Sequence, residues 1–255
     1  LPICFVMANN SKIKIKGYSE RGVIDALVYS MYEHEELAKE FINLLVPEVT
    51  ISESDKITFY VEQSLSDFGD PDLMILIGKE KNPESLIFVE AKVKTWSNNW
   101  SLETEWKKFN DCRFDEKNKR KLGKITSNLF RQLRMKKELM EHIGEVKLDG
   151  YRIPDARLQG TKNGKRKIGS NGVVQKAFAD ISKVEKDSVY YAAIVPDSCE
   201  NLEKFKNDTE DEFVKRINFV SWACIEKIFV DNKDNKDDKD SLIKIAFEHN
   251  KGQIY

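Results

Sequence analysis

The sequence has few cysteines and few histidines, and both shortages exclude kinds of site. Its 255 residues include four cysteines and three histidines. The cysteines (Cys4, Cys112, Cys199 and Cys224) lie far apart without a CxxC pair, which argues against a zinc site and against a disulfide framework. We therefore expect reduced thiols in a cytoplasmic protein. The histidines are scattered along the chain, and we expect none of them to be catalytic.

Long apolar runs and an excess of one sign of charge are also missing. No run of about 20 apolar residues occurs, so the sequence predicts no membrane-spanning helix and no membrane partner. The 42 Lys and Arg residues are balanced by 43 Asp and Glu residues, which argues against bulk affinity for nucleic acid. A local basic groove is compatible with this balance, because binding follows the distribution of charge rather than its sum.

The composition is otherwise that of a folded protein. Hydrophobic residues make up 40% of the chain and include 14 phenylalanines, enough to fill a core, which excludes a disordered protein. Residues 1–10 are interpreted as an extension or a disordered N-terminus, since their apolar start is too short for a signal peptide and has no cationic residue. We expect residues 11–255 to form a single domain, with a core at about 19–196 and C-terminal additions at 197–255.

The order of helices and strands is read from hydrophobic periodicity. Apolar residues at three- and four-residue steps predict a helix that starts near Glu20 and has a break near His34. Apolar and β-branched runs predict three strands, then a helix, a fourth strand and further helices. The predicted strands are 56–63, 72–77, 86–93 and 189–195, and the predicted later helices are 127–143, 197–217, 222–230 and 241–249. Residues 96–121 and 150–186 show too little periodicity for an assignment. The fold class is therefore α/β.

Three charged residues stand on the predicted second and third strands. Asp72 follows Pro71 at the start of an apolar run, and Glu90 and Lys92 share one face near the end of the next strand. Charges on a buried strand are costly unless they are paired or bind something. Two adjacent carboxylates attract a hard divalent cation such as Mg²⁺. Lys92 beside such an ion could orient or deprotonate a water molecule, or hold a phosphate, as phosphodiester hydrolysis requires.

The pattern Pro71-Asp72, then Glu90-Ala91-Lys92, resembles the PD-(D/E)xK nuclease superfamily. The resemblance implies a restriction-endonuclease-like core in the order αβββαβ, with a mixed central sheet flanked by helices and helical decoration at the C-terminus. It implies that Asp72 and Glu90 bind Mg²⁺, for which Mn²⁺ can substitute, and that the Ala91 carbonyl completes the metal site. It also implies that Lys92 assists the attacking water.

The same resemblance implies functional roles for two further residues, Glu20 and Gln132. Glu20 falls on the apolar stripe of the first helix, and the segment from Ser19 to Ile24 resembles the opening of bacterial restriction-endonuclease-like proteins. Many members of the superfamily add a metal-binding Glu here, which implies this role for Glu20. Some members place a catalytic Gln on the helix after the third strand, and Gln132 matches it. The Tyr that often follows four residues later is Lys136 in this chain.

The implied activity is that of a Mg²⁺-dependent phosphodiesterase, an endonuclease of defence, restriction or mobile-element type. DNA is the expected partner and RNA the alternative, and a homodimer is compatible with cutting of both strands. Trp96, Trp100 and Trp106 lie among lysines, where they would either stack on bases or cap the core beneath a loop. Two other functions stay open: a protein of the same fold that binds nucleic acid or a partner without cutting, and an RNA-processing nuclease.

A structural interpretation of the same residues is also open. Glu90 and Lys92 could form an ion pair at a sheet edge, with Asp72 as a cap at the start of its strand. Asp70 competes with Asp72 for the role of metal ligand. We prefer Asp72 because it directly precedes the apolar run.

Overall fold

The computed structural model describes residues 20–32, 34–94, 100–112, 126–148, 150–155, 157–158, 165–230, 243–244 and 246–248. Over these residues the chain forms a five-stranded mixed β-sheet with helices on both of its faces. The prediction of an α/β chain with a mixed central sheet flanked by helices is thereby confirmed. No helix of this part of the chain is both long enough and apolar enough to cross a membrane.

The helices and strands are numbered here in chain order. The helices are α1 Glu20–Met31, α2 Glu35–Leu45, α3 Leu102–Asn110, α4 Leu129–Glu141, α5 Ile143–Leu148, α6 Gly172–Ile181, α7 Cys199–Asp208, α8 Glu212–Lys215 and α9 Trp222–Val230. The strands are β1 Lys56–Val61, β2 Leu73–Lys79, β3 Asn82–Ala91, β4 Tyr151–Arg152, β5 Lys165–Arg166, β6 Val189–Val195 and β7 Ile217–Ser221. Short 3₁₀ turns cover Ser66–Phe68 and Lys186–Ser188.

The large sheet has the strand order β1-β2-β3-β6-β7. β1, β2 and β3 form an antiparallel meander, whereas β6 and β7 continue the sheet in parallel. β2 and β3 are joined by the tight turn at Glu80 and Lys81, and their register places Leu73 opposite Val89. This register fixes which residues meet at the far end of the hairpin, where β2 begins and β3 ends.

The sheet separates two hydrophobic cores. Because side chains alternate along a strand, β2 and β3 contribute to both cores. Residues 73–77 of β2 are an unbroken apolar run, as expected for a strand buried on both faces. One core lies under α1, α2 and α9 and includes Phe41 and Trp222. The other lies under α3, α4 and α7 and includes Phe88, Phe109 and Phe130.

Several elements differ from the sequence prediction. Residues 197–217 were predicted as helical and contain α7 and the short α8. Residues 218–221 had no assignment, and together with Ile217 they form β7, an edge strand that pairs with the last five residues of β6. The C-terminal part of the chain therefore extends the sheet as well as adding helices. Helices α3 and α6 occupy stretches that had no assignment. The predicted last helix is present at residues 243–244 and 246–248, whereas residues 1–10 lie outside the described residues.

Candidate metal centre

Asp72 and Glu90 meet where β2 begins and β3 ends. Since Leu73 pairs with Val89, Asp72 lies across from Glu90 in the antiparallel hairpin. The Asp72 Oδ2 atom accepts a hydrogen bond of 2.7 Å from the backbone N–H of Ala91. Asp72 is 5% exposed, so its carboxylate is almost completely buried from solvent and is held against the peptide group that follows Glu90.

Glu90 is a fully buried carboxylate that is short of hydrogen bonds. Its exposure is 0%, and neither of its oxygens has a hydrogen-bond partner among the described residues. Lys136 Nζ lies 3.2 Å from Glu90 Oε1 as an ion pair, but outside hydrogen-bond geometry. Burial raises the pKa of Glu90 to about 7; Lys136 opposes this rise and the nearby Asp72 adds to it. Such a carboxylate has free lone pairs that a cation could use.

Lys92 follows β3 and is fixed through its backbone. Its N–H donates to the Ile194 carbonyl at 2.8 Å, and its carbonyl accepts a 2.8 Å hydrogen bond from Trp222 Nε1. The ammonium Nζ lies 3.7 Å from Glu20 Oε1. Burial by itself would lower the pKa of Lys92, but the surrounding carboxylates outweigh burial, so the pKa is raised. These carboxylates thus favour the charged form of Lys92, which can orient water or hold a phosphate.

Glu20 opens α1 on the stripe that faces the sheet, as predicted. Its side chain is 29% exposed, and burial raises its pKa, an effect that Lys92 opposes. Glu20, Asp72 and Glu90 do not have one oxygen each within 4.8 Å of one another, so Glu20 acts here as the partner of Lys92.

Gln132 and Lys136 lie one turn apart on α4, so they project from the same side of the helix. The Gln132 Oε1 atom is buried and has no hydrogen-bond partner within the described part of the chain. Lys136 is 1% exposed and pairs with Glu90. Gly69 covers it: φ is +78° there, and a Cβ at this position would lie 3.3 Å from Lys136 Nζ. A side chain at residue 69 would be strained by this positive φ and would press on the Lys136 ammonium, so glycine suits the loop that leads to Asp72.

The charges of the cluster do not balance. Glu20, Asp72 and Glu90 supply three carboxylates, whereas Lys92 and Lys136 supply two ammonium groups. Asp72 has no ion-pair partner among the described lysines and arginines, although it is almost fully buried. The donor set, two carboxylates and the Ala91 carbonyl, is of the hard oxygen type that Mg²⁺ prefers. The residues present therefore fit such an ion.

The structure also bears on the alternatives. Asp70 is exposed while Asp72 is buried, which favours Asp72 as the ligand. Glu90 and Lys92 do not pair with each other: Glu90 pairs with Lys136, and Lys92 pairs with Glu20.

Two of the three tryptophans near the third strand, Trp100 and Trp106, lie in the part of the chain that the structure describes. Trp106 packs against Phe109 and Phe130 and Trp100 against the same core, as expected for caps of the core. Trp96 lies outside the described residues.

Sequence reasoning missed three features of this region. It did not assign a partner to Glu90, it gave no role to Trp222, and it did not find a second acidic group. That group comprises Glu138, Glu141 and His142, whose ligand atoms lie within 4.8 Å of one another at the end of α4. The spacing of one helical turn between Glu138 and Glu141 was a visible indication of this group.

Comparison with known proteins gave no match. Neither a family model, nor a curated protein, nor a solved structure matches the chain. The resemblance to the PD-(D/E)xK superfamily therefore rests on the motif residues and on how they lie together, and membership stays a prediction.

Proposed function

We propose that the chain is a metal-dependent nuclease that hydrolyses phosphodiester bonds, with DNA as substrate, Mg²⁺ as metal and a restriction-endonuclease-like fold. The observation that carries the proposal is the Glu90 carboxylate, fully buried with neither oxygen hydrogen-bonded, beside the almost fully buried Asp72. Burying each charge costs several kcal/mol unless a partner compensates. A cation shared by both carboxylates explains why the chain keeps them together at one end of a hairpin.

In this proposal each residue of the cluster has a role. Asp72 and Glu90 would hold the metal, together with the Ala91 carbonyl. Bound there, Mg²⁺ would supply positive charge to the phosphate oxygens and lower the pKa of a bound water. Lys92, protonated at neutral pH, donates hydrogen bonds to the attacking water or to the phosphate. Glu20 keeps the Lys92 ammonium in position through their ion pair.

One observation favours the second function, a protein that binds nucleic acid without cutting it. The Lys136 ammonium already lies 3.2 Å from the Glu90 carboxylate. It therefore neutralises part of the negative charge that a metal ion would otherwise neutralise. In that function Asp72 and Glu90 would have a structural role only. The two functions differ in metal binding, which can be measured without any substrate.

The first experiment measures metal binding by calorimetry. We expect the wild type to bind Mg²⁺ and Mn²⁺, and Asp72→Asn to bind either ion at least about tenfold more weakly because one anionic ligand is lost. Asp70→Asn is the matched control, since it removes the same charge from an exposed position two residues away. If both variants lose the same affinity for the ion, the loss comes from the change in net charge and not from a lost ligand. If the wild type binds neither ion, the metal site is refuted.

The second experiment measures cleavage. Purified protein is incubated with supercoiled plasmid and, separately, with structured RNA in Mg²⁺, in Mn²⁺ and in EDTA. We expect metal-dependent nicking of the plasmid that Glu90→Ala and Lys92→Ala abolish while circular dichroism stays unchanged. Cleavage of RNA alone would replace DNA by RNA as the substrate. Cleavage of neither substrate would refute the nuclease, and if the metal also fails to bind, the binding function is favoured.

A further inference from the structure

Two cysteines that are distant in sequence lie in contact. Cys199 is the first residue of α7, and Cys224 lies in the first turn of α9, 25 residues later. Their Sγ atoms are 3.2 Å apart. Cys199 is exposed and Cys224 is half-buried, whereas the third described cysteine, Cys112, is buried alone. The fold thus creates a thiol pair that the sequence spacing does not indicate.

The pair is positioned for a covalent bond. A disulfide has an S–S distance of about 2.05 Å, so the two sulfurs need to approach by only about 1 Å. They border a surface groove of about 270 Å³ beside β7, which is lined among others by Leu44, Leu202 and Phe219. A small oxidant can therefore reach the pair from solvent through the exposed Cys199.

We propose that Cys199 and Cys224 are a redox site that closes to a disulfide when the protein meets a hydroperoxide or a small-molecule disulfide. Two S–H bonds break and one S–S bond forms, and two electrons and two protons pass to the oxidant. A hydroperoxide is reduced to water and an alcohol, or to two waters when it is hydrogen peroxide. A small disulfide is reduced to two thiols. Thiol reductants reverse the reaction.

The different environments of the two sulfurs set the order of events. Burial raises the pKa of Cys224 to about 11, and the contact with Cys199 adds to this rise. Little Cys224 thiolate is therefore present at neutral pH, and it meets solvent less than Cys199 does. The oxidant reacts first at Cys199, and Cys224 then attacks the oxidised Cys199 sulfur, because it is the neighbouring thiol at 3.2 Å.

The bond would cross-link α7 to α9 across the edge strand β7. Closing a loop of about 25 residues lowers the conformational entropy of the unfolded chain and so stabilises the folded protein. For a chain of this size we expect a rise in Tm of about 6–12 °C. This site lies outside the Asp72 and Glu90 cluster, so it does not depend on the proposed nuclease activity.

The test uses the wild-type protein with all its cysteines. It is treated with hydrogen peroxide or with glutathione disulfide, and its intact mass is recorded. Free thiols are then alkylated for a non-reducing peptide map. We expect a loss of about 2 Da, a linked peptide pair that contains Cys199 and Cys224, free Cys112, and full reversal by dithiothreitol. The rise in Tm should appear and disappear with the bond.

Cys199→Ser and Cys224→Ser are the matched controls, since each leaves one thiol of the pair on the surface. In each variant we expect the loss of about 2 Da to be absent, and Cys199 in Cys224→Ser to retain a glutathione adduct. Separate stable adducts on both cysteines of the wild type, oxidation to sulfinic acid, or cross-links between chains in place of the internal bond would overturn the proposal.

Discussion

Replacing Lys136 by methionine tests whether the buried ion pair controls stability in a pH-dependent way. Lys136 and Glu90 are 1% and 0% exposed, and their charged atoms lie 3.2 Å apart. Methionine keeps much of the length and the apolar stem of lysine but removes the charge. The Glu90 carboxylate then lacks its nearest counter-charge, and the protein must either protonate this carboxyl group or bury it as an uncompensated anion.

The magnitude follows from the pKa of Glu90. In the folded protein it is raised from 4.5 to about 7. Because the pKa of Glu90 is higher in the folded protein than in the unfolded chain, the free energy of unfolding is highest below pH 4.5. It falls as the pH rises from 4.5 through 7, by about 3 kcal/mol for a shift of this size. Without Lys136 the pKa rises further, so the loss at pH 8 grows. Because the variant can protonate the carboxyl group, this extra loss at pH 8 is limited by the unit between pH 8 and the wild-type pKa of about 7, which corresponds to about 1.4 kcal/mol.

The assay is urea unfolding of wild type and Lys136→Met at about pH 5 and about pH 8. We expect the loss in Lys136→Met to be about 1.4 kcal/mol larger at the higher pH than at the lower pH, where the carboxyl group is protonated in both proteins. The double variant Glu90→Gln/Lys136→Met removes both charges and should regain most of the loss at about pH 8. Equal losses at both pH values would refute the reasoning, because they would show a packing defect instead of an unpaired charge.

Three further predictions concern residues around the same centre. Lys92→Met should retain the fold and lower the cleavage rate at least about 100-fold, as measured by plasmid nicking, because a positioned donor is lost. Trp222→Phe removes the hydrogen bond to the buried Lys92 carbonyl. It should lower the free energy of unfolding by about 1–3 kcal/mol, as measured in urea. Asn128 caps α4 and donates to the Glu105 backbone and side chain. Asn128→Ala should cost about 2–3 kcal/mol in the same assay, because it removes the cap and both hydrogen bonds to Glu105.

Much of the candidate centre could be predicted because its main contacts are local. β2 and β3 form one hairpin, so apolar runs with a polar turn between them were enough to place Asp72 near Glu90. The direction of Glu20 towards the sheet followed from the apolar stripe of α1. These inferences need only the periodicity of single elements and the register of a tight hairpin.

Contacts between elements that are distant in sequence could not be predicted in the same way. Lys136 stands on the buried stripe of α4, where a charged residue indicates a buried partner, but only the fold identifies that partner as Glu90. The pairing of Cys199 with Cys224 depends on how α7 and α9 flank β7, and spacing alone suggested isolated thiols. α6 was missed although its buried positions follow helical spacing, because Gly, Lys and Arg residues precede it.

The hydrogen bond from the Ala91 N–H to Asp72 Oδ2 also determines which variants can be interpreted. One oxygen of this carboxylate is engaged by the protein's own backbone, so a ligand would find its other oxygen the freer one. Asparagine can still accept the bond through its amide oxygen, which separates the loss of charge from the loss of the strand anchor. Alanine removes both at once, and the frayed hairpin end that results would imitate a loss of chemistry.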